Sequence, residues 1–179
     1  ALLKDLVKDA NPDTVLSNKR FPWLSYRDIE LGMCPVRAIR VAYTGELGWE
    51  LHYPIEFGRY LWDLLLKAGE KHGLKPVIAG GAEAWMVAAE LKAANVPVLL
   101  DALVNLPSSF DALGATLENA ARLHRAGVRV GFTQGGDATH NARKIRQLAG
   151  TAVAYGLPWD AGLAGLTSVP AQVFGVSAN

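Results

Sequence analysis

One cysteine, Cys34, stands in 179 residues, which excludes an internal disulfide framework and any multi-cysteine zinc site. Long apolar runs are missing too. Stretches such as Val96-Pro97-Val98-Leu99-Leu100 fall far short of the ~20 residues that cross a bilayer. Neither sign of charge is in excess: 18 Lys and Arg against 17 Asp and Glu give a formal net charge of +1. No electrostatic footprint for nucleic acid or an anionic membrane is therefore expected. The start shows no basic segment followed by an apolar one, so no secretory signal is read. Ala rather than Met at position 1 reads as a fragment or a processed chain. What is present is 50% hydrophobic and 20% charged, which excludes disorder as the resting state. The expectation is a globular, cytoplasmic protein, of one ordinary domain or two small ones, whose partner is at most a small molecule.

Composition changes along the chain. Residues 1–76 hold 11 of the 18 Lys and Arg and 10 of the 17 Asp and Glu. Alanine is sparse before Lys75 and dominates the helical stretches after it. Two domains follow from that shift, 1–76 and 77–179.

The first part reads as α+β with an antiparallel hairpin. Leu2, Leu3, Leu6 and Val7 recur at helical spacing, and Asn11-Pro12-Asp13 stops that helix. Phe21–Leu24 and Ile29–Leu31 are predicted as short strands with a turn at Gly32. Residues 36–43 alternate most clearly, with Val36, Ala38 and Arg40 on one face. Thr44 to Gly48 supplies a reversal and residues 49–53 run back. Pro54–Gly73 is predicted as an amphipathic helix burying Tyr60, Leu61, Leu64, Leu65 and Ala68, with Gly73 as its cap.

The second part alternates strand and helix: strands at 77–80, 97–100 and 128–132, helices at Glu83–Ala94 and Phe110–Ala126. Helices at Asn141–Tyr155, Pro158–Leu166 and Pro170–Val176 follow. Apolar strands joined by helical crossovers imply an α/β part of three parallel βα units, a partial TIM-barrel-like arrangement with too few strands to close.

Several side chains invite chemistry. Tyr43, Glu46 and Glu50 flank the predicted reversal, where a carboxylate beside an aromatic ring suits the NH-rich edge of a pterin or purine. The competing reading is a surface hairpin with solvated acids. Asp137 and His140 follow the third parallel strand, where α/β folds place ligands. They read either as a metal ligand and general base or as a helix cap with a histidine in its first turn. Gly80-Gly81, after a strand and before a helix, offers backbone N–H groups to an anion. His52, His72 and His124 read as surface or packing residues. Cys34, with no histidine near it in sequence, is a poor candidate nucleophile.

The segment Val36-Arg37-Ala38-Ile39-Arg40-Val41-Ala42-Tyr43-Thr44-Gly45-Glu46-Leu47-Gly48-Trp49-Glu50-Leu51-His52 resembles the aminomethyltransferase (glycine-cleavage T-protein) superfamily. It looks most like the folate-binding region of dimethylglycine and sarcosine dehydrogenases. Phe21-Pro22-Trp23, Ile29-Glu30-Leu31-Gly32 and Leu61-Trp62-Asp63 agree. The resemblance covers nearly all of residues 1–76. It implies a tetrahydrofolate site in which Tyr43 lines the pterin pocket and Glu50 binds the pterin. The family's catalytic Asp belongs upstream of these residues, so folate binding is expected to be weak or vestigial.

From about residue 72 onward, Val77-Ile78-Ala79-Gly80-Gly81-Ala82-Glu83-Ala84-Trp85, Asn105-Leu106-Pro107 and His140-Asn141-Ala142-Arg143 resemble the C-terminal part of an imidazolonepropionase-like amidohydrolase barrel. That family implies metal-activated water acting on a cyclic amide. Its His-x-His pair, bridging Lys and further His lie upstream, so no catalytic or metal residue is assigned and no metal is expected. The chain reads as a fusion of two partial homologues joined at 72–77. Its unpaired sheet edge predicts self-association.

Overall fold

A computed structural model describes residues 1–42, 47–135 and 139–176. The chain divides into two compact units, Ala1–Leu74 and Lys75–Asn179, each with its own hydrophobic cluster. The fold is mixed α/β, with an antiparallel sheet first and a parallel sheet second.

In the first unit, β1 (Tyr26–Leu31), β2 (Cys34–Ile39) and β3 (Glu50–His52) lie in the order β1-β2-β3. Cys34, Val36 and Ala38 are buried while Pro35 and Arg37 face out, the alternation that a one-sided sheet requires. Leu31 pairs with Cys34, which leaves Gly32-Met33 as a two-residue turn. Gly32 takes φ 60° and Met33 a negative φ, the pattern of a II′ hairpin turn. Tyr60 Oη sits where a Cβ on Gly32 would be and accepts the Met33 N–H at 3.1 Å.

Helices α1 (Leu2–Leu6), α2 (Pro12–Val15) and α3 (Gly58–Gly69) accompany this sheet. Leu3 and Leu61 are buried with Phe21, Leu31 and Val36 in one cluster, and Tyr60, Leu64 and Leu65 pack on it. This is the face predicted from spacing. A 3₁₀ turn carries α3 to His72. Gly73, at φ 68°, then donates to Glu70 O, and Leu74 N–H reaches back to Gly69 O. That pair of bonds is a Schellman end, satisfying carbonyls the helix leaves open.

Two strand assignments from sequence need correction. Phe21–Leu24 is a turn, not a strand: Phe21 N–H bonds Ser17 O, Ser25 bonds Pro22 O, and Leu24 takes φ 59°. Its apolar residue serves the core from a loop, since Phe21 is fully buried. The first sheet strand is instead Tyr26–Leu31. The predicted hairpin partner of 49–53 ends early, because pairing runs only from Arg37↔His52 to Ile39↔Glu50. Tyr43, Thr44, Gly45 and Glu46 lie outside the described residues.

The second unit has β4 (Ile78–Ala79), β5 (Val98–Leu100) and β6 (Val130–Phe132), all parallel and in that order. Its helices are α4 (Ala88–Ala93), α5 (Asn119–Arg125), α6 (Ile145–Ala154), α7 (Trp159–Leu166) and α8 (Ser168–Val173). Every residue of β5 and β6 is buried. Glycine allows α7 to come close: a Cβ on Gly165 would lie 2.7 Å from Phe132 Cε2 and 3.0 Å from Val130 O.

The helices of this unit are shorter than predicted. Glu83–Ala94 opens as a 3₁₀ turn over Ala84–Val87, and residues 139–144 do the same before α6. Phe110–Ala126 reduces to a 3₁₀ turn at Phe110–Ala112 and to α5. Between them Gly114 is held from outside. Its N–H donates to Glu83 Oε1 at 2.5 Å and its carbonyl accepts Trp85 Nε1–H at 2.7 Å. Those bonds replace the helical ones. The last helix is Ser168–Val173 rather than Pro170–Val176. Among the described residues no helix is long and apolar enough to cross a membrane.

Candidate functional site

Strand alternation decides where β3 points its side chains. Trp49 and Leu51 pack on the first unit's cluster, so Glu50 and His52 face the other way. Register extends that outer face across the sheet. Tyr26, Ile39 and Glu50 form one rung, and Asp28, Arg37 and His52 the next. Arg37 grips Asp28 with two bonds, Nε to Oδ1 at 2.8 Å and Nη2 to Oδ2 at 3.0 Å. Its guanidinium also stands 5.0 Å from the Tyr26 ring centroid. The Arg37 bond holds the Asp28 carboxyl below the ordinary carboxylate range, and Asp28 raises Arg37 in return.

Glu50 therefore sits on a polar, half-exposed face with His52 Nε2 3.3 Å from its Oε2. A carboxylate so placed can accept two hydrogen bonds from an amidine-like edge. An apolar groove of about 320 Å³ lies on the other side of β3, lined by Leu3, Leu16, Trp49, Leu51 and Leu65. The groove and the Glu50 carboxylate thus belong to opposite faces of the strand. Tyr43 lies outside the described residues, as does Glu46.

In the second unit, polar groups gather past the carboxyl ends of the strands. Asp101 follows β5. Its Oδ1 accepts Leu103 N–H at 3.1 Å and its Oδ2 accepts Gly135 N–H at 3.0 Å. The side chain thereby ties the loop after β5 to the loop after β6. Asn105 is 1% exposed and its Nδ2 has no partner among the described residues, and neither does the buried Gln134 Oε1. One orphan donor and one orphan acceptor are left there, where α/β sheets bind ligands. Asn119, fully buried, donates to Gly81 O and Ala82 O, each at 3.0 Å, and accepts Trp85 N–H at 3.1 Å. It fixes the loop after β4.

Of the Gly80-Gly81 pair, the Gly80 N–H is committed to Leu99 O at 2.8 Å, so it is not free to meet an anion. His140 is exposed in the 3₁₀ turn before α6, and Asp137 lies outside the described residues. Cys34 is buried, and burial together with nearby Glu56 pushes its thiol up from its ordinary value, which keeps it protonated and inert. Two of the histidines read as surface or packing residues have acidic partners. His52 meets Glu50, and His72 bonds Asp5 beside Lys71. Asp5 and His72 are 67 positions apart, a pairing only the fold can bring about. Asn105 and Gln134 carried no sequence signal.

Residues 2–89 match the family described as the GCVT N-terminal domain. The mitochondrial dimethylglycine dehydrogenase of Homo sapiens is 41% identical over 59 residues, which is 33% of this chain and 7% of that protein. The mitochondrial sarcosine dehydrogenase of Mus musculus is 38% identical over 71 residues, 40% of this chain and 8% of that protein. An aminomethyltransferase of Bacillus pumilus is 34% identical over 90 residues, 50% of this chain and 24% of that protein. Among solved structures, an amidohydrolase from Thermotoga maritima MSB8 aligns with a TM-score of 0.53 and 24% identity. The alignment covers 64% of this chain and 30% of that one, and at that identity the likeness is one of fold. The chain spans 7% of the length of the human dehydrogenase and 24% of that of the Bacillus aminomethyltransferase, and its first half carries a GCVT N-terminal domain match.

Proposed function

We propose that the first unit is part of a tetrahydrofolate-binding domain of the aminomethyltransferase kind, in which Glu50 takes the pterin edge and Tyr43 packs on its ring. The match of residues 2–89 to the GCVT N-terminal domain supports it. The observation that carries it is the Glu50 carboxylate, turned outward on β3 and bonded among the described residues to His52. Those two acceptor oxygens fit a pterin's amino and ring N–H groups, which donate. The apolar groove, being behind the strand, does not add a wall to the same ligand. Association costs ~4–15 kcal/mol before any surplus shows, and paired bonds to one half-exposed carboxylate recover little of it. Binding on the order of millimolar follows, without catalysis. Calorimetric titration of a tetrahydrofolate analogue tests this. The expected result is weak binding, lost in Glu50→Ala and reduced in Tyr43→Ala. Micromolar affinity overturns the vestigial reading, and indifference to Glu50→Ala overturns the site.

A second reading concerns the second unit, as a remnant of a metal-dependent amidohydrolase barrel acting on cyclic amides. The orphan Asn105 Nδ2 and Gln134 Oε1 favour it, since an amide offers an acceptor to the first and a donor to the second. The fold likeness to the Thermotoga protein supports the same reading. The chain would then join two partial homologues around 72–77, and sequencing source DNA without interruption across Lys75–Val77 checks that. Metal analysis of the purified chain is expected to return no stoichiometric zinc or manganese. Size-exclusion chromatography is expected to show self-association through an edge of the parallel sheet, and a clean monomer counts against it.

A further inference from the structure

We propose that the amino-terminal rim of the parallel sheet binds a phosphate group. A concavity of about 220 Å³ opens there. Ile78 N–H donates to Pro97 O and Val98 N–H to Arg129 O, so Val77, Pro97 and Arg129 stand abreast where the three strands begin. The polar part of the wall is Lys75, Asn95, Arg129 and Gln172. Each of these side chains offers hydrogen-bond donors, and among the described residues no carboxylate lines the cavity.

The cations are held in different ways. Arg129 is half-buried, and its Nη2 donates to Asn95 O at 3.1 Å and Asn95 Oδ1 at 3.3 Å. Those bonds orient the guanidinium and leave Nε and Nη1 without a protein acceptor among the described residues. Turning Asn95 Oδ1 toward Arg129 also leaves its amide NH₂ to donate elsewhere. Asn95 itself takes φ 54° to close α4, with Val96 N–H bonded to Leu91 O at 2.9 Å, so its position is set by the helix end. Lys75 is exposed, and it forms no ion pair among the described residues.

Two cations on one concave surface repel each other until an anion comes between them. A planar guanidinium suits two phosphate oxygens at once, and an ammonium suits a third as a point charge. A phosphate carries close to two negative charges near neutral pH, matching both cations where a carboxylate would match one. The carbonyl end of α8 works against an anion here, but a six-residue helix has a small dipole whose effect dies away within a turn. The site is independent of the folate reading.

Inorganic phosphate, glycerol phosphate and chloride are titrated into the full chain at constant ionic strength. Amide and Arg129 Nε–H resonances report binding, which separates contact from the general stabilisation that phosphate gives any fold. Saturable shifts around residues 75, 95, 129 and 172 are expected with phosphate and absent with chloride. Lys75→Gln and Arg129→Gln are each expected to weaken binding about fivefold, in line with half-exposed ion pairs. Lys75 makes no hydrogen bond that the fold uses among the described residues, so Lys75→Gln keeps the test valid if Arg129→Gln unfolds. Equal binding of the ester identifies a phosphorylated metabolite as the ligand class, and preference for inorganic phosphate identifies the free ion. Shifts that never saturate, that chloride reproduces, or that survive Lys75→Gln unchanged overturn the proposal.

Discussion

β2 and β5 are both central strands, yet they are built to different rules. β2 buries Cys34, Val36 and Ala38 and turns Pro35 and Arg37 to water. β5 is buried at all three positions, as a strand covered on both faces must be. The same contrast runs through the charges. Of the eight pairs of a carboxylate with a Lys, Arg or His among the described residues, two of them through histidine, only Arg122–Glu118 belongs to the second unit. The first unit is a one-sided sheet whose open face carries cross-strand charge. The second closes both faces with small residues, at points such as Gly165 against Phe132. A half-solvated sheet spends sequence on alternation and charge, whereas a covered one spends it on fit.

Separate clusters predict separate failures. Phe21→Ala empties a fully buried site whose ring meets Trp49 edge-on at 4.7 Å and is expected to cost the first unit ~3–5 kcal/mol. Hydrogen exchange read by mass spectrometry checks this. Protection is expected to collapse in β1, β2 and α3 and to persist in β5 and β6. Equal loss in both sheets breaks the comparison. Gly165→Ala is the reciprocal experiment. The added methyl meets an aromatic ring and a backbone oxygen, and the oxygen cannot move aside, so overpacking of ~1–3 kcal/mol is expected in the second unit alone. A denaturant midpoint followed at the tryptophans of each unit reads it.

The contrast also explains what was legible in the sequence. The β2 face, the Gly32 turn, the buried side of α3 and the Gly73 cap followed from local patterns that a single open face makes explicit. Phe21–Leu24 misled because a buried aromatic looks alike in a strand and in a turn. Phe110–Ala126 misled because its periodicity is real, while the bonds that break it come from Glu83 and Trp85 on another loop. The seam is blurred in sequence, since the family match runs to Ala89 while the compact unit ends at Leu74. At the candidate site, the outward direction of Glu50 was readable from alternation. That His52 meets it, and that carboxylate and groove oppose each other, needed the register and the side-chain geometry.

A smaller effect sharpens the account of the first unit. Tyr60→Phe keeps the ring over Gly32 but removes the oxygen that accepts Met33 N–H. The turn is exposed, so water takes the N–H and the cost is about 1 kcal/mol or less. Thermal unfolding of the variant is expected to shift the first unit's transition by a few degrees at most. A large shift would mean that Tyr60 holds the turn by its hydroxyl rather than its ring.

The smallest effect is electrostatic, and its sign follows from the carboxyls. Asp5 is held below the ordinary range first by its hydrogen bond to His72 and then by Lys71, and Asp28 by Arg37. A carboxyl whose folded pKa is depressed stabilises the fold above its unfolded value of ~3.9, and that contribution disappears as pH falls through the folded value. Both groups belong to the first unit. Lowering pH from about 6 to about 3 is therefore expected to lower that unit's urea midpoint more than the second unit's, by a margin that salt reduces because the pairs are exposed. His72→Ala removes the principal cause at Asp5 and leaves Asp28 untouched, so the acid dependence should shrink without vanishing. If the second unit loses as much midpoint over the same range, or if His72→Ala changes nothing, the concentration of electrostatic stabilisation in the antiparallel half is wrong.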